Sequence, residues 1–416
     1  MTSFSIQNFG CRVNQAEAFE WTSELQQRGL RLERDFDRSH VVVVNTCTLT
    51  SRADRDARKF IRRIARRNPQ AKVVVTGCLA ERDPAELERI PGVWRVIPNR
   101  EKAGLAGQIL ANVEAAPEAG AQAYRSRALI KVQDGCNMSC SFCIIPRVRG
   151  RSASVPKDAI LDRMERLAEA GFSEIVLTGI HLCSYGRDLK PPSSLLDLLQ
   201  EIEALDGTAK VRLSSLDPRL LPAPLLGHLT TSAKICPHFH LSLQHGSDAV
   251  LRRMGRQSTA AEYRDTISSL RELSPQAGIG ADIIAGFPGE TEEDFKQMVE
   301  FLTGTPLTYF HVFSYSPRPG TEAAAWPQVD DKNKKERAAL LRKISRQKNL
   351  AFRSRFLGQE LEAVVIEKEG AAADVLTSNY IQIRVPDCPA QEGQRVRVKI
   401  ERVTERLSFG EIISLS

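Results

Sequence analysis

The chain has 416 residues, 42% of them hydrophobic and 26% charged, which is long enough for two or three domains and apolar enough for packed cores. No uninterrupted apolar run approaches the roughly 20 residues of a membrane span, and Met1 opens a strand-like segment without a basic-then-apolar signal, so a cytoplasmic protein without membrane contact is expected. The net charge of +7 is modest, and the nine cysteines of a chain in a reducing compartment point to metal ligands before disulfides.

In chain order, the first hundred residues repeat one unit. Segments 2–9, 41–46 and 73–77 are β-rich and apolar, and a cysteine closes each: Cys11, Cys47 and Cys78. Helix-compatible stretches follow at 15–28, 51–67 and 83–90, a strand-helix rhythm that predicts a parallel sheet. Strand carboxyl ends share one edge of such a sheet, where α/β proteins place their sites. A free cysteine is most often a small buried hydrophobe, but three at equivalent strand ends read better as thiols gathered in one place. The helix over 51–67 carries Arg55, Lys59, Arg62, Arg63 and Arg66 on one face at steps of three and four. A charge run is commonly only a solvated face; with the second basic run at 332–355, it favours a polyanion partner.

Residues 114–123 (EAAPEAGAQA) lack apolar periodicity and read as a linker. Strand candidates follow at 129–133, 174–178, 210–214, 239–243, 279–285 and 308–313, with helices at 156–170, 194–205, 260–273 and 291–302 among the intervening stretches. Six such units make a partial (β/α) barrel with its site at the strand carboxyl ends. The first strand leads into Cys136, Cys140 and Cys143. This CxxxCxxC spacing holds three corners of a four-iron cluster and leaves the fourth iron open to a small molecule. Structural zinc takes four closed ligands, usually from paired CxxC units, and no second pair follows. From Phe356 onward, short Val- and Ile-rich segments separated by Gly, Pro, Asp and Asn predict a small β-barrel. Barrels of this kind often bind oligonucleotides, an inference by fold analogy. The fold class is therefore α/β: an amino-terminal parallel sheet, a partial (β/α)6 barrel and a small carboxy-terminal β-barrel.

The residues around these cysteines carry a family resemblance. GCRVN at 10–14, NTCT at 45–48, TGC at 76–78, DGC at 134–136, LTGIHL at 177–182, GFPGET at 286–291 and YSPRPGT at 315–321 together resemble the methylthiotransferases of the radical S-adenosylmethionine (SAM) superfamily. NTCTLT, TGIHLCSYG and RLSSLDP are similar to the branch acting on N6-threonylcarbamoyladenosine in tRNA. Cys183, Asp217, Ser242 and His245 depart from the residues usual there, which are glycine, glutamate, proline and serine. The resemblance implies three domains: 1–115 for the amino-terminal cluster, 124–355 for the radical SAM core and 356–416 for a TRAM-like RNA-binding barrel. It implies two 4Fe-4S clusters, one on Cys136, Cys140 and Cys143 that cleaves SAM, and an auxiliary one on Cys11, Cys47 and Cys78 that delivers methylthio. The cofactors carry the hard chemistry, hydrogen removal from C2 of the adenine ring. Partners implied are tRNA, an external electron donor and a sulfur donor.

Gly179, Ser214, Ser215 and Gly286, at or just after barrel strand ends, are the candidates to contact SAM; termination of the strands explains them equally well. Arg147, Arg149 and Arg151 are open to SAM carboxylate, RNA phosphate or no partner. His181 and His245 receive no role, and Cys183, Cys236 and Cys388 fit no ligand pattern. Truncation after Phe356 is expected to weaken tRNA binding and spare SAM cleavage. The rival readings are the same chemistry on isopentenyladenosine tRNA or a ribosomal-protein aspartate, a second cluster that only transfers electrons, and a non-catalytic iron–sulfur RNA-binding protein.

Overall fold

The computed structural model describes residues 2–113, 126–207 and 209–415; the expected linker at 114–123 lies outside them. Five parallel strands form the amino-terminal sheet in the order Arg31–Leu32, Ser3–Asn8, Val41–Thr46, Lys72–Gly77, Val93–Ile97. The two that the apolar pattern did not show are its edges. One is two residues long and the other carries an exposed Arg95, so neither presents a continuous apolar run. The central Val41–Thr46 is buried throughout. Val41 and Val43 pack with Phe4, Trp21 and Leu25, while Val42 and Val44 pack with Ala57, Ile61 and Ile64, the two-sided burial typical of a parallel sheet.

The helix Arg12–Gln27 starts at its N-cap Cys11, earlier than the predicted 15–28. It is buried nearly all round: Ala18, Trp21 and Leu25 face the amino-terminal sheet, Ala16 meets Leu129 and Val176 of the second unit, and Phe19 meets Phe172 edge-on at 5.7 Å. Its weak amphipathicity follows from this, because the helix is a wall shared by two units.

The second unit contains six parallel strands. Ala128–Asp134, Glu174–Gly179 and Lys210–Leu213 form one set. His238–Gln244, Gly278–Ala285 and Tyr309–Ser314 form the other, and bridges at Val211–Ile235 and Leu216–Leu241 connect the two. This is the expected partial barrel, with one antiparallel addition, Ala153–Ser154 against the first strand. Outward residues such as Ile130, Leu177 and Ile279 join the surrounding helices in the largest apolar core. Alternation therefore turns Lys131, Gln133, Glu174, Arg212, His238, His240 and Asp282 inward.

A closed five-stranded barrel follows, ordered Glu360–Glu369, Ala372–Thr377, Gln382–Val385, Ser408–Leu415, Arg395–Val403. Its core includes Val365, Val375, Ile383, Val396 and Val398, and also Phe352 from the long helix Asp331–Ser354. The turn after Ala372–Thr377 does not stay with this barrel. Arg212 donates to the Ser378 carbonyl at 3.0 Å and the Thr377 carbonyl at 3.2 Å. Tyr380, at φ +74°, stacks on His238 at 4.0 Å. The turn thus plugs the partial barrel at its strand starts, opposite the cysteine loop. Among the described residues no helix is long and apolar enough to cross a membrane.

Candidate functional site

The CxxxCxxC loop is fixed by backbone contacts. Gly135 has φ +65°, and a Cβ there would lie 2.0 Å from the Arg151 carbonyl oxygen, so only glycine brings the first strand round to Cys136. The Cys136 N–H donates to the Gly150 carbonyl at 3.1 Å, and the Cys143 N–H to that of Cys140 at 3.1 Å. Ser141 ties the loop to the end of the helix Asp248–Arg253 through its N–H to the Met254 carbonyl at 3.1 Å. Its hydroxyl donates to the Arg253 carbonyl at 2.8 Å. All three cysteines line a cleft of about 330 Å³, with Ile180, His181, Ser215, Asp282 and Arg256 on its walls. Burial pushes the Cys143 thiol up to about 12 and also raises Cys136. Such thiols stay protonated until a metal displaces the proton. Wider clefts of about 510 and 940 Å³ between the units contain no cysteine.

Of the four candidates for SAM contact, Ser215 lines the cleft. Gly179 stands behind it: its N–H donates to Ser214 Oγ at 3.3 Å, and a Cβ there would meet Gln133 Oε1 at 2.9 Å. Ser214 is buried in that contact. The Gly286 N–H donates to Glu290 Oε2 at 2.8 Å, with Lys334 packed where a Cβ would stand. His181 Nε2 lies 3.2 Å from Asp217 Oδ2, which also accepts from Arg219 at 2.6 Å and Arg256 at 3.2 Å. Burial opposes charge on Asp217, but these partners outweigh it and hold its carboxyl well below the usual range. His245 is buried against Glu290 at 3.3 Å as a structural link to the GFPGE loop. Cys183 accepts from the Asp217 N–H at 3.3 Å, Cys236 sits 3.8 Å from Glu174, and Cys388 is in the terminal-barrel core. All three serve packing.

Sequence reasoning missed a second polar group in the barrel interior. His240 Nε2 and His311 Nδ1 approach Asp282 Oδ1 at 2.9 and 3.4 Å. The alternation in HFHLSLQ at 238–244 was its signal, since it puts two histidines on the face turned away from the apolar residues.

The dispersed triplet converges as expected at the carboxyl edge of the amino-terminal sheet. Gly77 has φ +93° and the Thr46 carbonyl 2.3 Å from a would-be Cβ, which sets Cys78 beside the Cys47 strand end. Cys11 Sγ donates to Asn14 Oδ1 at 3.3 Å, and Asn14 in turn donates to the Thr46 carbonyl at 3.0 Å. Cys78 and Cys11 lie close enough to Cys47 to disfavour its thiolate. Burial, then Cys78 and Cys11, push Cys47 up to about 12. Cys47 and Cys78 are buried and Cys11 half-buried. Three thiols so placed, with amide donors from Leu49 at 3.5 Å and Asn99 at 3.8 Å toward sulfur, suit an iron–sulfur cluster.

The basic helix Ser51–Arg67 begins at the cleft rim, since Leu49 and Thr50 line the cleft. Arg55, Lys59, Arg62 and Arg66 are exposed and have no carboxylate partner among the described residues. The second basic run is divided: Lys332, Lys335, Arg342, Lys343, Arg346 and Arg355 are exposed, whereas others are held by internal partners. Arg337 pairs with Glu290 at 2.7 Å, Arg353 donates to Ser408 and to the Thr404 carbonyl at 3.0 and 2.9 Å, and Lys348 donates to the Thr305 carbonyl at 2.7 Å.

Residues 130–302 match a family model described as the Radical SAM superfamily, and residues 3–97 one described as Uncharacterized protein family UPF0004. The threonylcarbamoyladenosine tRNA methylthiotransferase MtaB of Aquifex aeolicus is 37% identical over 96% of this chain and 99% of its own. The chain belongs to the radical SAM methylthiotransferase family. The protein of the same name from Bacillus subtilis is 34% identical over 99% of this chain and 97% of its own. Among solved structures, the radical SAM methyltransferase TsrM of Kitasatospora setae superposes with a TM-score of 0.57 at 17% identity, over 78% of this chain and 77% of its own, a likeness of fold. Membership makes the chain an enzyme of the transferase class that uses SAM and a 4Fe-4S cluster, and the open-sided cysteine loop at the cleft fits both.

Proposed function

We propose that this enzyme adds a methylthio group to C2 of N6-threonylcarbamoyladenosine next to the anticodon of tRNA. The observation that carries the reading is the presence of two separate three-cysteine sites, each at the carboxyl edge of its own sheet, in a chain collinear with relatives of that name. Cys136, Cys140 and Cys143 are the proposed ligands of the radical SAM cluster and Cys11, Cys47 and Cys78 those of an auxiliary 4Fe-4S cluster. When bound, the first supplies the electron that cleaves SAM and the second supplies the sulfur.

The chain's own residues bind and orient. Ser215, Arg256 and Arg318 face the cleft, where the two arginines offer partners for the carboxylates of SAM and of the threonylcarbamoyl group. Gly179, Ser214 and Gly286 act behind this wall, holding Gln133 and the GFPGE loop in place. The exposed face of Ser51–Arg67 and the terminal barrel are proposed to grip RNA phosphate and shape, leaving an unstacked adenosine for the cleft. Residues 1–115, 124–355 and 356–416 are the corresponding domains. The reading also calls for a reducing compartment such as the cytoplasm, an external electron donor and a donor that replaces the sulfur.

The test is anaerobic reconstitution with iron and sulfide, then SAM, a reductant and tRNA bearing threonylcarbamoyladenosine, with mass spectrometry of the digested nucleosides. The 2-methylthio derivative of that nucleoside is the expected product. Formation of 5′-deoxyadenosine without it would overturn the substrate assignment and direct the search to isopentenyladenosine tRNA or a ribosomal protein.

A further inference from the structure

Arg149 follows the CxxxCxxC loop by six residues, yet its side chain points away from that loop's cleft. It is completely buried and reaches the other cysteine set. Its Nε donates to Cys78 Sγ at 3.3 Å, and its Nη2 donates at 2.7 Å to Asn14 Oδ1, the oxygen that also accepts from Cys11. Its Nη1 donates to Glu17 at 3.1 Å and to Asp134 at 2.9 Å.

Around it stands a closed ion network. Lys102 lies 2.5 Å from Glu17 and 3.6 Å from Asp134, and Lys131 lies 3.3 Å from Glu17 and 3.2 Å from Asp134. Three cations face two carboxylates, which leaves one net positive charge beside the thiols. A guanidinium remains charged at any working pH, and the low dielectric around the fully buried Arg149 side chain strengthens its field. Glu17 and Lys102 belong to the amino-terminal unit and Lys131, Asp134 and Arg149 to the barrel, so the network exists only when the two units are docked.

We propose that Arg149 is a positioning residue for the auxiliary cluster, contributed by the barrel to a site whose cysteines all come from the amino-terminal unit. It hydrogen-bonds the Cys78 sulfur, holds Asn14 against Cys11, and offsets the negative charge of a cluster on three thiolates. This assignment rests on the auxiliary cluster proposed above. Hydrogen bonds to cluster sulfurs and nearby charge set the reduction potential, so loss of the guanidinium should make the auxiliary cluster harder to reduce. Because the same side chain is anchored beside the radical SAM loop, it also fixes how one cluster faces the other.

The experiment uses the full-length chain with Cys136, Cys140 and Cys143 all replaced by Ala, so that only the auxiliary cluster assembles. Electron paramagnetic resonance and redox titration are then compared for this parent, for Arg149→Lys and for the charge-balanced pair Arg149→Gln with Glu17→Gln. The pair avoids an uncompensated buried carboxylate and guards against simple misfolding; circular dichroism checks the fold of each. The balanced pair leaves the network's net charge unchanged but removes the hydrogen bonds to Cys78 and Asn14 and the cation placed at the sulfur, so it should show a shifted g-tensor and a reduction equilibrium about tenfold less favourable, about 59 mV for a one-electron couple. Arg149→Lys should recover part of the potential and little of the g-tensor, because lysine keeps the charge without the fork. A folded parent without any cluster would overturn the two-cluster reading and this assignment with it. A parent cluster whose potential and g-values are the same in both variants would overturn the role of Arg149 alone.

Discussion

The two cysteine sets solve one chemical problem in opposite ways. Cys136, Cys140 and Cys143 lie within eight residues on one loop, positioned by Gly135 and the anchors on Ser141, and they open onto a cleft. Cys11, Cys47 and Cys78 come from three strand ends and meet only because the sheet places those ends side by side. That second site is closed from behind by an ion network shared between its own unit and the barrel. A local site exposes its metal to small molecules, whereas an assembled one can be wrapped on several sides. The contrast suits the proposed division between one cluster that takes up SAM and an auxiliary one whose sulfur is guarded until delivery.

Single ligand substitutions break the comparison most sharply. Cys140→Ala should abolish both 5′-deoxyadenosine and methylthiolated nucleoside, whereas Cys47→Ala should abolish only the second; chromatography of both products in one reaction checks the split. Glu174→Gln probes the scaffold of the partial barrel that carries the first site. Burial opposes its charge, but Arg212 and Arg127 outweigh it and hold the carboxyl at about 2 against an ordinary 4.5. The resulting stabilisation is full above about pH 4.5 and is lost as pH falls toward 2. The substitution should cost about 3 to 5 kcal/mol at neutral pH, flatten the acid limb of thermal melts and lower iron retention more at Cys136, Cys140 and Cys143 than at Cys11, Cys47 and Cys78.

A smaller effect comes from the thiols themselves. Cys47 and Cys143 are both raised to about 12, so above about pH 9 the unfolded chain holds fewer protons at these positions than the folded one. The apoprotein should therefore lose melting temperature as pH rises from about 8 to about 10, and Cys47→Ser or Cys143→Ser should each remove part of that loss. Reconstituted protein, with its thiolates on iron, should lack it. The smallest effect concerns RNA: Arg62→Glu with Arg66→Glu should weaken tRNA binding and lower the salt dependence by about one unit of slope per lost phosphate contact. SAM cleavage without tRNA should stay unchanged.

Much of this was legible from local pattern. The β-rich segments ending at Cys11, Cys47 and Cys78 and the six barrel strands form where apolar runs and turn residues put them, because each is governed by its own neighbours. Arg149 was not legible. In the run Arg147, Arg149, Arg151 the three arginines look equivalent, and what separates them is contact with Cys78 and Asn14, 71 and 135 residues away in the chain. Within the basic run at 332–355, composition cannot tell an exposed Arg342 or Lys343 from Arg337 or Arg353, which are spent on internal partners. The shared helix Arg12–Gln27 also hid its role, as burial on two sides erases the stripe by which a helix face is read.

The seat of Tyr380 changes what can be removed from this molecule. A chain ending at Phe356 would lose more than the terminal barrel proposed to bind RNA: Arg212 would give up its two carbonyl acceptors and His238 its stacked ring, and water would reach the Glu174 pair. Loss of SAM cleavage in such a truncate would therefore report a flooded barrel and not a catalytic part for the missing segment. For the same reason a chimera exchanging terminal barrels among relatives would have to move the Tyr380 turn together with its receptor of Arg212, Glu174 and His238. Heredity is then expected to treat plug and socket as one unit, although some 165 residues of chain lie between them.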